Sequence, residues 1–377
     1  MVPRAKLRQS LTMTLDIRGR QHPFPSQTQK SLVIPVAKAP LEIRETPVPA
    51  PGAGQVLVKI MAAGLNPMDP ARHKQDMMLP AYPIVLGSDV AGVIEQVGEG
   101  FAQTQFGGYQ QYVALPAATL IRKPKNISFD DVATFPITFS TACVALCGQA
   151  PIGLGLNPTL ASDKPQSGKA AVVIGAGTSV GQFAMQLLKF CGFSTIIAYA
   201  SAKHTEYLTS LGATLVIDRN STPLPELSSH PALKEHPVDV VYDTVMGIVP
   251  GGADAISPVD AGHDLLKPHG QLVTVNPRAA LSANRSESSK GITLTRSMGF
   301  YVGPDVVPGP MRTLEHTKFG RYIIERLPVL LEEGVLVANR VEVLPGGLEG
   351  VKAGFERWYQ DSGVSAVKLV AHPQETA

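Results

Sequence analysis

Residues 170–181 read AAVVIGAGTSVG, an apolar run followed at once by a glycine-rich turn. The run, residues 170–174, is apolar without interruption, which is typical of a buried strand. After the turn, apolar side chains recur at positions 180, 183, 184, 187 and 188, which is helical spacing. The segment therefore predicts a strand, a tight turn and a helix in direct succession.

This succession is the context in which a dinucleotide-binding turn works. Gly175 and Gly177 permit a close approach that a Cβ atom would block. The N–H groups at the helix N-terminus can then face a pyrophosphate. The spacing is not strict G-x-G-x-x-G, because Val180 stands at the third glycine and Gly181 follows it. An ordinary turn is the alternative, and the strands and helices that follow favour the cofactor site.

Strands and helices continue to alternate beyond this turn. Further strand patterns occupy residues 195–199, 215–217, 238–242 and 271–275. This alternation predicts an α/β fold with a doubly wound parallel sheet. Before it, residues 30–112 have the short apolar runs and Pro- and Gly-rich turns of β-structure. After residue 309 the pattern predicts helices at 321–333 and 348–359, and a last strand at 366–371.

The end of the second predicted strand indicates which nicotinamide cofactor is bound. An NAD site normally offers an acid there, about 20 to 25 residues past the turn. This sequence reads YASAKH at residues 199–204, without an acid. Ser201 can donate a hydrogen bond and Lys203 supplies a cation, which suits the 2′-phosphate of NADPH. The alternatives are that Lys203 is an ordinary solvated residue and that Glu206 reaches back.

Composition limits the class of protein. A chain of 377 residues is longer than one core usually grows, so two domains are expected. Its 33 basic and 31 acidic residues give no electrostatic reason to expect a nucleic-acid partner, and no apolar stretch predicts a membrane span. Three cysteines without a C-x-x-C pair indicate a reducing compartment, so we expect a cytoplasmic protein.

Residues 1–29 differ in character from the rest of the chain. They hold five basic residues against the single acid Asp16. A disordered extension or an upstream start codon is one explanation, and a mitochondrial transit peptide is the alternative.

Motifs spread over residues 30–370 resemble the zinc-free medium-chain reductases. The resemblance is to quinone oxidoreductases and, more closely, to the fungal trans-acting enoyl reductases. Besides the glycine-rich turn, the matching segments are PAPGAGQVLV at 49–58, AAGLNPMD at 62–69, LGSDVAGV at 86–93, SLGA at 210–213, GGLEG at 346–350 and KLV at 368–370. The resemblance implies a GroES-like β-barrel domain at 30–137, a Rossmann domain at 138–309, and a return to the first domain at 310–377. The nicotinamide would lie in the cleft between them.

The residues at the metal positions of the superfamily predict that no metal is bound. Zinc alcohol dehydrogenases place a cysteine where this chain has Asn66, and a His-Glu pair where it has Ser88 and Asp89. Cys143 and Cys147, four residues apart on an apolar helix, are interpreted as packed small hydrophobes. A site without a Lewis acid disfavours simple alcohol oxidation, and it favours reduction of a conjugated double bond.

The resemblance also implies two residues beside the nicotinamide, Asn66 and Thr141, although both could equally be structural. The candidate cofactor-binding residues are Gly175, Gly177, Thr178, Ser179, Val180, Ser201, Lys203, Tyr207 and Val275. The family's lysine after the Asn-Pro-x-Asp segment is absent, since Pro70 and Ala71 follow Asp69. A barrel strand expected after Gly100 is also missing from the sequence.

Together these features predict an NADPH-dependent reductase of an enoyl thioester or an enone. The substrate would be a small molecule, including an acyl thioester on a carrier, and the protein a monomer or homodimer. Quinone reduction and zinc-free alcohol dehydrogenation are alternatives. A degenerate, non-catalytic cofactor-binding protein is the alternative from another class.

Overall fold

The computed structural model describes residues 27–99, 106–246, 256–297, 314–360 and 364–377. The chain divides into two compact units. The first comprises residues 1–136, 327–333 and 338–377, and the second comprises 137–326 and 334–337. The first boundary lies within one residue of the predicted one at 137/138. The second differs, because residues 314–326 belong to the second unit and not to the returning segment.

The described residues form strands and helices throughout both units. The strands are β1 (Thr28–Ile34), β2 (Glu42–Pro47), β3 (Gln55–Gly64), β4 (Ile84–Val85), β5 (Asp89–Val97), β6 (Tyr112–Pro116), β7 (Ala170–Ile174), β8 (Thr195–Ala200), β9 (Leu215–Asp218), β10 (Val238–Asp243), β11 (Leu266–Thr274), β12 (Thr293–Arg296), β13 (Val341–Leu344) and β14 (Lys368–Ala371). The α-helices span Met68–Gln75, Phe129–Val132, Pro136–Cys147, Ser179–Cys191, Thr205–Ser210, Pro231–Lys234, Pro258–Leu265, Glu287–Lys290, Leu314–Glu332 and Leu348–Tyr359. None of these helices is long and apolar enough to cross a membrane.

The second unit is built on a six-stranded parallel sheet. Its strand order is β9-β8-β7-β10-β11-β12, so the chain moves outward from β7 in one direction and from β10 in the other. This is the dinucleotide-fold order 3-2-1-4-5-6, with its switch point between β7 and β10. The predicted parallel, doubly wound sheet is confirmed. Ligands of such sheets bind at the carboxyl ends of the strands beside the switch point.

The first unit contains two sheets. A three-stranded sheet has the order β2-β1-β4, and a larger sheet has the order β13-β14-β3-β5, with β6 also paired to β3. Its buried core includes Leu32, Ile60, Leu65 and Phe355. β5 ends the larger sheet, and among the described residues no strand pairs with its outer edge.

Two predictions concern the ends of described segments. Residues 27–29 were predicted to belong to a disordered extension, and this is wrong for Thr28 and Gln29. Both lie in β1, and the buried side-chain amide of Gln29 donates to Oε1 of Gln110 at 3.0 Å.

The missing strand predicted after Gly100 concerns residues 100–105, which lie outside the described residues.

Candidate functional site

The glycine-rich turn follows β7 and is shaped by its first glycine. Gly175 has a φ of +80°, a conformation that residues with a Cβ atom rarely adopt. A Cβ atom there would lie 2.9 Å from Oγ1 of Thr244 and 2.9 Å from Cγ2 of Val245. The N–H groups of Gly175 and Ala176 both donate to the carbonyl of Tyr199, at 3.1 and 3.3 Å. Glycine is therefore required at position 175.

Gly177 and Gly181 serve different purposes. A Cβ atom on Gly181 would lie 2.6 Å from the carbonyl oxygen of Gly175, so this glycine lets the helix pack tightly against the turn. A Cβ atom on Gly177 would meet only Cδ2 of His204, at 3.9 Å. The space beside Gly177 is thus open on the protein side. An open space beside a glycine at a helix N-terminus fits the close approach of a pyrophosphate.

Thr178 caps the helix Ser179–Cys191. Its Oγ1 accepts a hydrogen bond from the N–H of Gly181 at 3.0 Å and donates to Oγ1 of Thr244 at 3.0 Å. The hydroxyl of Thr244 in turn lies 2.9 Å from the carbonyl oxygens of both Ile174 and Gly175. The two hydroxyls therefore link the helix start, the end of β10 and the turn, and Thr244 was not among the predicted residues.

Ser179 and Val180 occupy the first turn of this helix, where backbone N–H groups have no partner within the helix. In the part of the chain that the structure describes, the N–H groups of Gly177 and Val180 have no hydrogen-bond partner. Such groups suit an anion at the helix N-terminus.

Tyr207 acts on the turn through a second residue. Its hydroxyl donates to Oε1 of Gln182 at 2.7 Å, and Nε2 of Gln182 donates to the carbonyl of Gly177 at 3.1 Å. Gln182 is fully buried. It was not predicted, because position 182 lies on the opposite side of the helix from the apolar positions 180, 183, 184, 187 and 188.

Ser201 and Lys203 follow β8, as predicted. Asp218, which was not predicted, accepts a hydrogen bond from the N–H of Ala202 between them. Oδ1 of Asp218, at the end of the adjacent strand β9, accepts from the N–H groups of Ala202 and Asn220, each at 3.1 Å. Nδ2 of Asn220 donates to Oγ of Ser201 at 3.4 Å. Lys203 is exposed. The acid that shapes this strand end thus comes from β9, where Asp218 binds backbone N–H groups.

Val275 follows β11, where its N–H donates to the carbonyl of Asp243 at 3.1 Å. The buried carboxylate of Asp243 accepts from the hydroxyl of Thr274 at 2.7 Å and from the N–H of Val245 at 3.0 Å. Burial raises the pKa of Asp243 to about 6, and these two hydrogen bonds oppose that rise. Since the strands are parallel, β7, β8, β10 and β11 bring the predicted cofactor-binding residues to one edge of the sheet.

Thr141 lies in the same unit, on the helix Pro136–Cys147. Its hydroxyl donates to the carbonyl of Ile137 at 2.7 Å, and its own carbonyl accepts from the hydroxyl of Tyr242 at 3.3 Å. The side chain is buried. These contacts support a packing role within the helix, and the hydroxyl oxygen retains acceptor capacity.

Asn66 lies in the first unit, two residues after β3 ends at Gly64, and is 4% exposed. Its Oδ1 accepts from Nζ of Lys368 at 2.6 Å, and its Nδ2 donates to Oδ2 of Asp89 at 2.9 Å. Nζ of Lys368 also lies 2.7 Å from Oδ2 of Asp89. The three side chains form a closed, buried triangle, and Lys368 was not among the predicted residues.

A second carboxylate holds the backbone of Asn66. Oδ2 of Asp69 accepts from the N–H of Asn66 at 3.1 Å and from the hydroxyl of Tyr109 at 2.6 Å. Burial raises the pKa of Asp69 to about 6, although both hydrogen bonds lower it. Burial also raises the pKa of Tyr109, which therefore stays protonated and donates.

The ammonium of Lys368 lies where a cation would approach Asn66 and Asp89. Among the described residues, no group of three or more His, Cys, Asp or Glu side chains could hold a metal ion. Oδ1 of Asn66 and Oδ2 of Asp89 both face this ammonium, at 2.6 and 2.7 Å. A second positive charge beside them would be repelled.

Comparison with known proteins agrees with this geometry. Residues 52–125 match the family described as the alcohol dehydrogenase GroES-like domain. The chain is 30% identical to Dehydrogenase pigH of Monascus ruber, over 91% of this chain and 99% of that protein. It is 32% identical to Trans-enoyl reductase tazE of Aspergillus terreus, over 49% of this chain and 67% of that protein. The structure of a mycobacterial protein complexed with NADPH is 20% identical in sequence, with a TM-score of 0.69 over 92% of this chain and 100% of that one.

Proposed function

The chain belongs to the medium-chain dehydrogenase/reductase family, and on that premise we propose that it uses NADPH to reduce an activated carbon–carbon double bond. The observation that carries this proposal is the open space beside Gly177, at the switch point of the parallel sheet. The substrate would be an enoyl thioester or an enone, including an acyl thioester on a carrier. We further propose a cytoplasmic protein, monomeric or homodimeric.

The preference for NADPH rests on the strand end at Ser201. A 2′-phosphate beside Ser201 and Lys203 would gain a hydrogen bond and a charge-assisted contact. Oδ1 of the Asp218 carboxylate already accepts from the N–H groups of Ala202 and Asn220. The mycobacterial protein of similar fold was solved in complex with NADPH, which agrees with this preference.

The proposed chemistry follows from the groups around Asn66. NADPH, when bound, would supply the hydride for the β-carbon of the substrate. Negative charge then develops on the substrate's carbonyl oxygen, where a hydrogen-bond donor stabilises it. Asn66 offers the second N–H of its amide for that purpose, and a proton from water completes the reduction at the α-carbon. Positioning by this chain, and not acid catalysis, would supply most of the acceleration.

Support for double-bond reduction over alcohol oxidation comes from the same residues. The ammonium of Lys368 lies against the oxygens of Asn66 and Asp89, so these positions do not present the ligands that a catalytic zinc needs. One curated relative carries the name trans-enoyl reductase.

The proposal is tested by following NADPH oxidation with enoyl thioesters, enones and quinones as acceptors. Gly177→Ala is the matched variant, because its Cβ atom would meet no protein atom closer than 3.9 Å, so the variant should fold. We expect turnover of enones or enoyl thioesters by the parent protein and weaker NADPH binding by the variant. Turnover of quinones alone would identify a quinone reductase. Tight NADPH binding without turnover of any acceptor would indicate a non-catalytic cofactor-binding protein.

A further inference from the structure

The triangle of Asn66, Asp89 and Lys368 joins three distant parts of the chain. Lys368 lies 302 residues after Asn66 and 279 after Asp89 in the sequence. The side chains of Lys368 and Asp89 are 3% and 0% exposed. A charged pair so deeply buried pays a large desolvation cost, and apolar replacements of such pairs are often neutral or stabilising. Stability alone therefore does not explain this arrangement.

The strand pairing around Gly64 assembles the triangle. Gly64 pairs with Asp89 of β5 on one side and with Val370 of β14 on the other. A Cβ atom on Gly64 would first clash with the carbonyl oxygen of Ala133, and it would also lie 3.0 Å from Cε of Lys368 and 3.1 Å from Cβ of Asp89. Glycine at this position thus leaves room for the lysine chain to reach Asn66.

The two charges fix which way the Asn66 amide points. An ammonium group has only donors and a carboxylate only acceptors, so Oδ1 must face Lys368 and Nδ2 must face Asp89. A flipped amide would place N–H groups against the ammonium and an oxygen against the carboxylate. One N–H of Nδ2 is used by Asp89, and the second N–H is directed by the same constraint.

The backbone of Asn66 is also held, because its N–H donates to Asp69 at 3.1 Å. The side-chain amide and the backbone N–H of Asn66 are thus both held by ionisable groups. A residue that only filled the core would need neither contact. Such double support is what a hydrogen-bond donor needs when it must be placed accurately before the reaction.

Building on the proposed function, we propose that Lys368 is a positioning residue, which orients the Asn66 amide so that its second N–H faces the substrate's carbonyl oxygen. Lys368 contacts neither substrate nor cofactor in this account and transfers no proton. Its contact with Oδ1 polarises the amide and makes the free N–H a stronger donor.

The test uses a charge-neutral double variant, Lys368→Met with Asp89→Asn, which leaves no unpaired buried charge. Lys368→Arg keeps the charge in a different shape, and Lys267→Met, which removes an ion pair to Asp239 in the second unit, is the control. The measurements are the single-turnover rate of enone reduction at saturating NADPH, the Kd for NADPH, and the side-chain amide resonances of Asn66 in an NMR spectrum.

The double variant should lower the rate roughly 10- to 100-fold, the range expected for one lost or misdirected hydrogen bond to a developing charge. It should leave the Kd for NADPH unchanged, and it should shift or broaden the Asn66 amide resonances. Adding Asn66→Ala to the double variant should cause no further loss of rate, since both changes remove the same interaction with the substrate. Lys267→Met should retain the parent rate.

An unchanged rate in the double variant, or losses that multiply with Asn66→Ala, would overturn the inference. Unchanged Asn66 amide resonances would overturn it as well, and this measurement does not depend on turnover. If the double variant fails to fold, Lys368→Arg supplies the same comparison of rate and resonances. A parent protein that reduces no acceptor would instead contradict the proposed function.

Discussion

The hydroxyl oxygens of Thr178 and Thr244 lie 3.0 Å apart, and their hydrogen bond joins the start of the helix Ser179–Cys191 to the end of β10. Both residues border the glycine-rich turn, and Thr244 fills the space that a Cβ atom on Gly175 would need. The turn is thus held from both sides of the switch point. Its shape before a cofactor arrives depends on this pair.

Thr244→Val should weaken NADPH binding because it removes both the contact to Thr178 and the contact to the turn's carbonyls. Loss of one or two buried hydrogen bonds costs about 1–3 kcal/mol, so we expect a Kd increase of roughly 10-fold or more. Thr244→Ser keeps the hydroxyl and is the control. Fluorescence titration with NADPH measures both. An affinity in Thr244→Val equal to that of Thr244→Ser would show that the hydroxyl does not position the turn.

Lys203→Ala should reduce the preference for NADPH over NADH. A charge-assisted contact to phosphate contributes about 1.5–3 kcal/mol, so the parent should bind NADPH at least ~10-fold more tightly. The variant should lose most of that difference and keep its affinity for NADH. Lys234→Ala, on a separate helix, is a control for general charge loss. Equal affinities of the parent protein for the two cofactors would contradict the assignment.

Asp69→Asn should change how stability depends on pH. Burial raises the pKa of Asp69 from 3.8 to about 6, so the folded state favours the protonated form. The stability that protonation gives is full below about pH 4 and is lost as pH rises through about 6, an effect of up to about 3 kcal/mol. The amide oxygen of the variant can still accept hydrogen bonds from Tyr109 and Asn66, and the variant should not lose stability as pH rises. Asp163→Asn, which removes an exposed carboxylate, is the control.

Urea unfolding of the parent and of Asp69→Asn between about pH 4 and about pH 8 measures the difference. The free energies of unfolding should diverge in favour of the variant as pH rises. Parallel curves over this range would mean that Asp69 does not titrate in the folded protein.

His372 should stabilise the first unit at low pH. Burial lowers the pKa of His372, but Asp130 and Glu375, at 2.8 and 2.9 Å from its ring nitrogens, outweigh burial and raise it. The stabilisation is full below the ordinary pKa of about 6.5 and is lost as pH rises through the raised value. The three side chains are partly exposed, so we expect less than about 1 kcal/mol.

Unfolding of the parent and of His372→Gln at about pH 6 and about pH 9 checks the sign of this effect. The parent's advantage should be larger at the lower pH. An advantage that grows at the higher pH would contradict the raised pKa.

Local patterns in the sequence predicted the parts of the site that are contiguous in the chain. The strand, the glycine-rich turn and the helix at 170–191 are confirmed, because apolar spacing and glycine positions are visible within one short segment. Ser201 and Lys203 follow β8 for the same reason. By contrast, β2 was not predicted: its sequence, EIRETP, is mostly polar and exposed, and its strand conformation depends on pairing with β1.

The contacts that hold the site could not be read from the sequence. Thr178 and Thr244 are 66 residues apart, and Asn66 and Lys368 are 302 apart, so nothing local pairs them. The family resemblance included the segments that contain Asp89 and Lys368, but it did not indicate that they meet at Asn66. Asp218 could not be predicted from the end of β8, because it lies on the neighbouring strand β9 and reaches Ala202 only through the pairing of the two strands.

The most direct test of the proposed reaction is single-turnover oxidation of bound NADPH by an enone and by the saturated ketone of the same skeleton. The Kd for NADPH is measured on the same preparation, so that binding and chemistry are separated. We predict that the enone oxidises NADPH at least ~100-fold faster than the saturated ketone, since the proposed site places the hydride against a β-carbon, and only the enone has an electrophilic carbon at that position. Ready reduction of the saturated ketone, with the enone left untouched, would contradict the proposal.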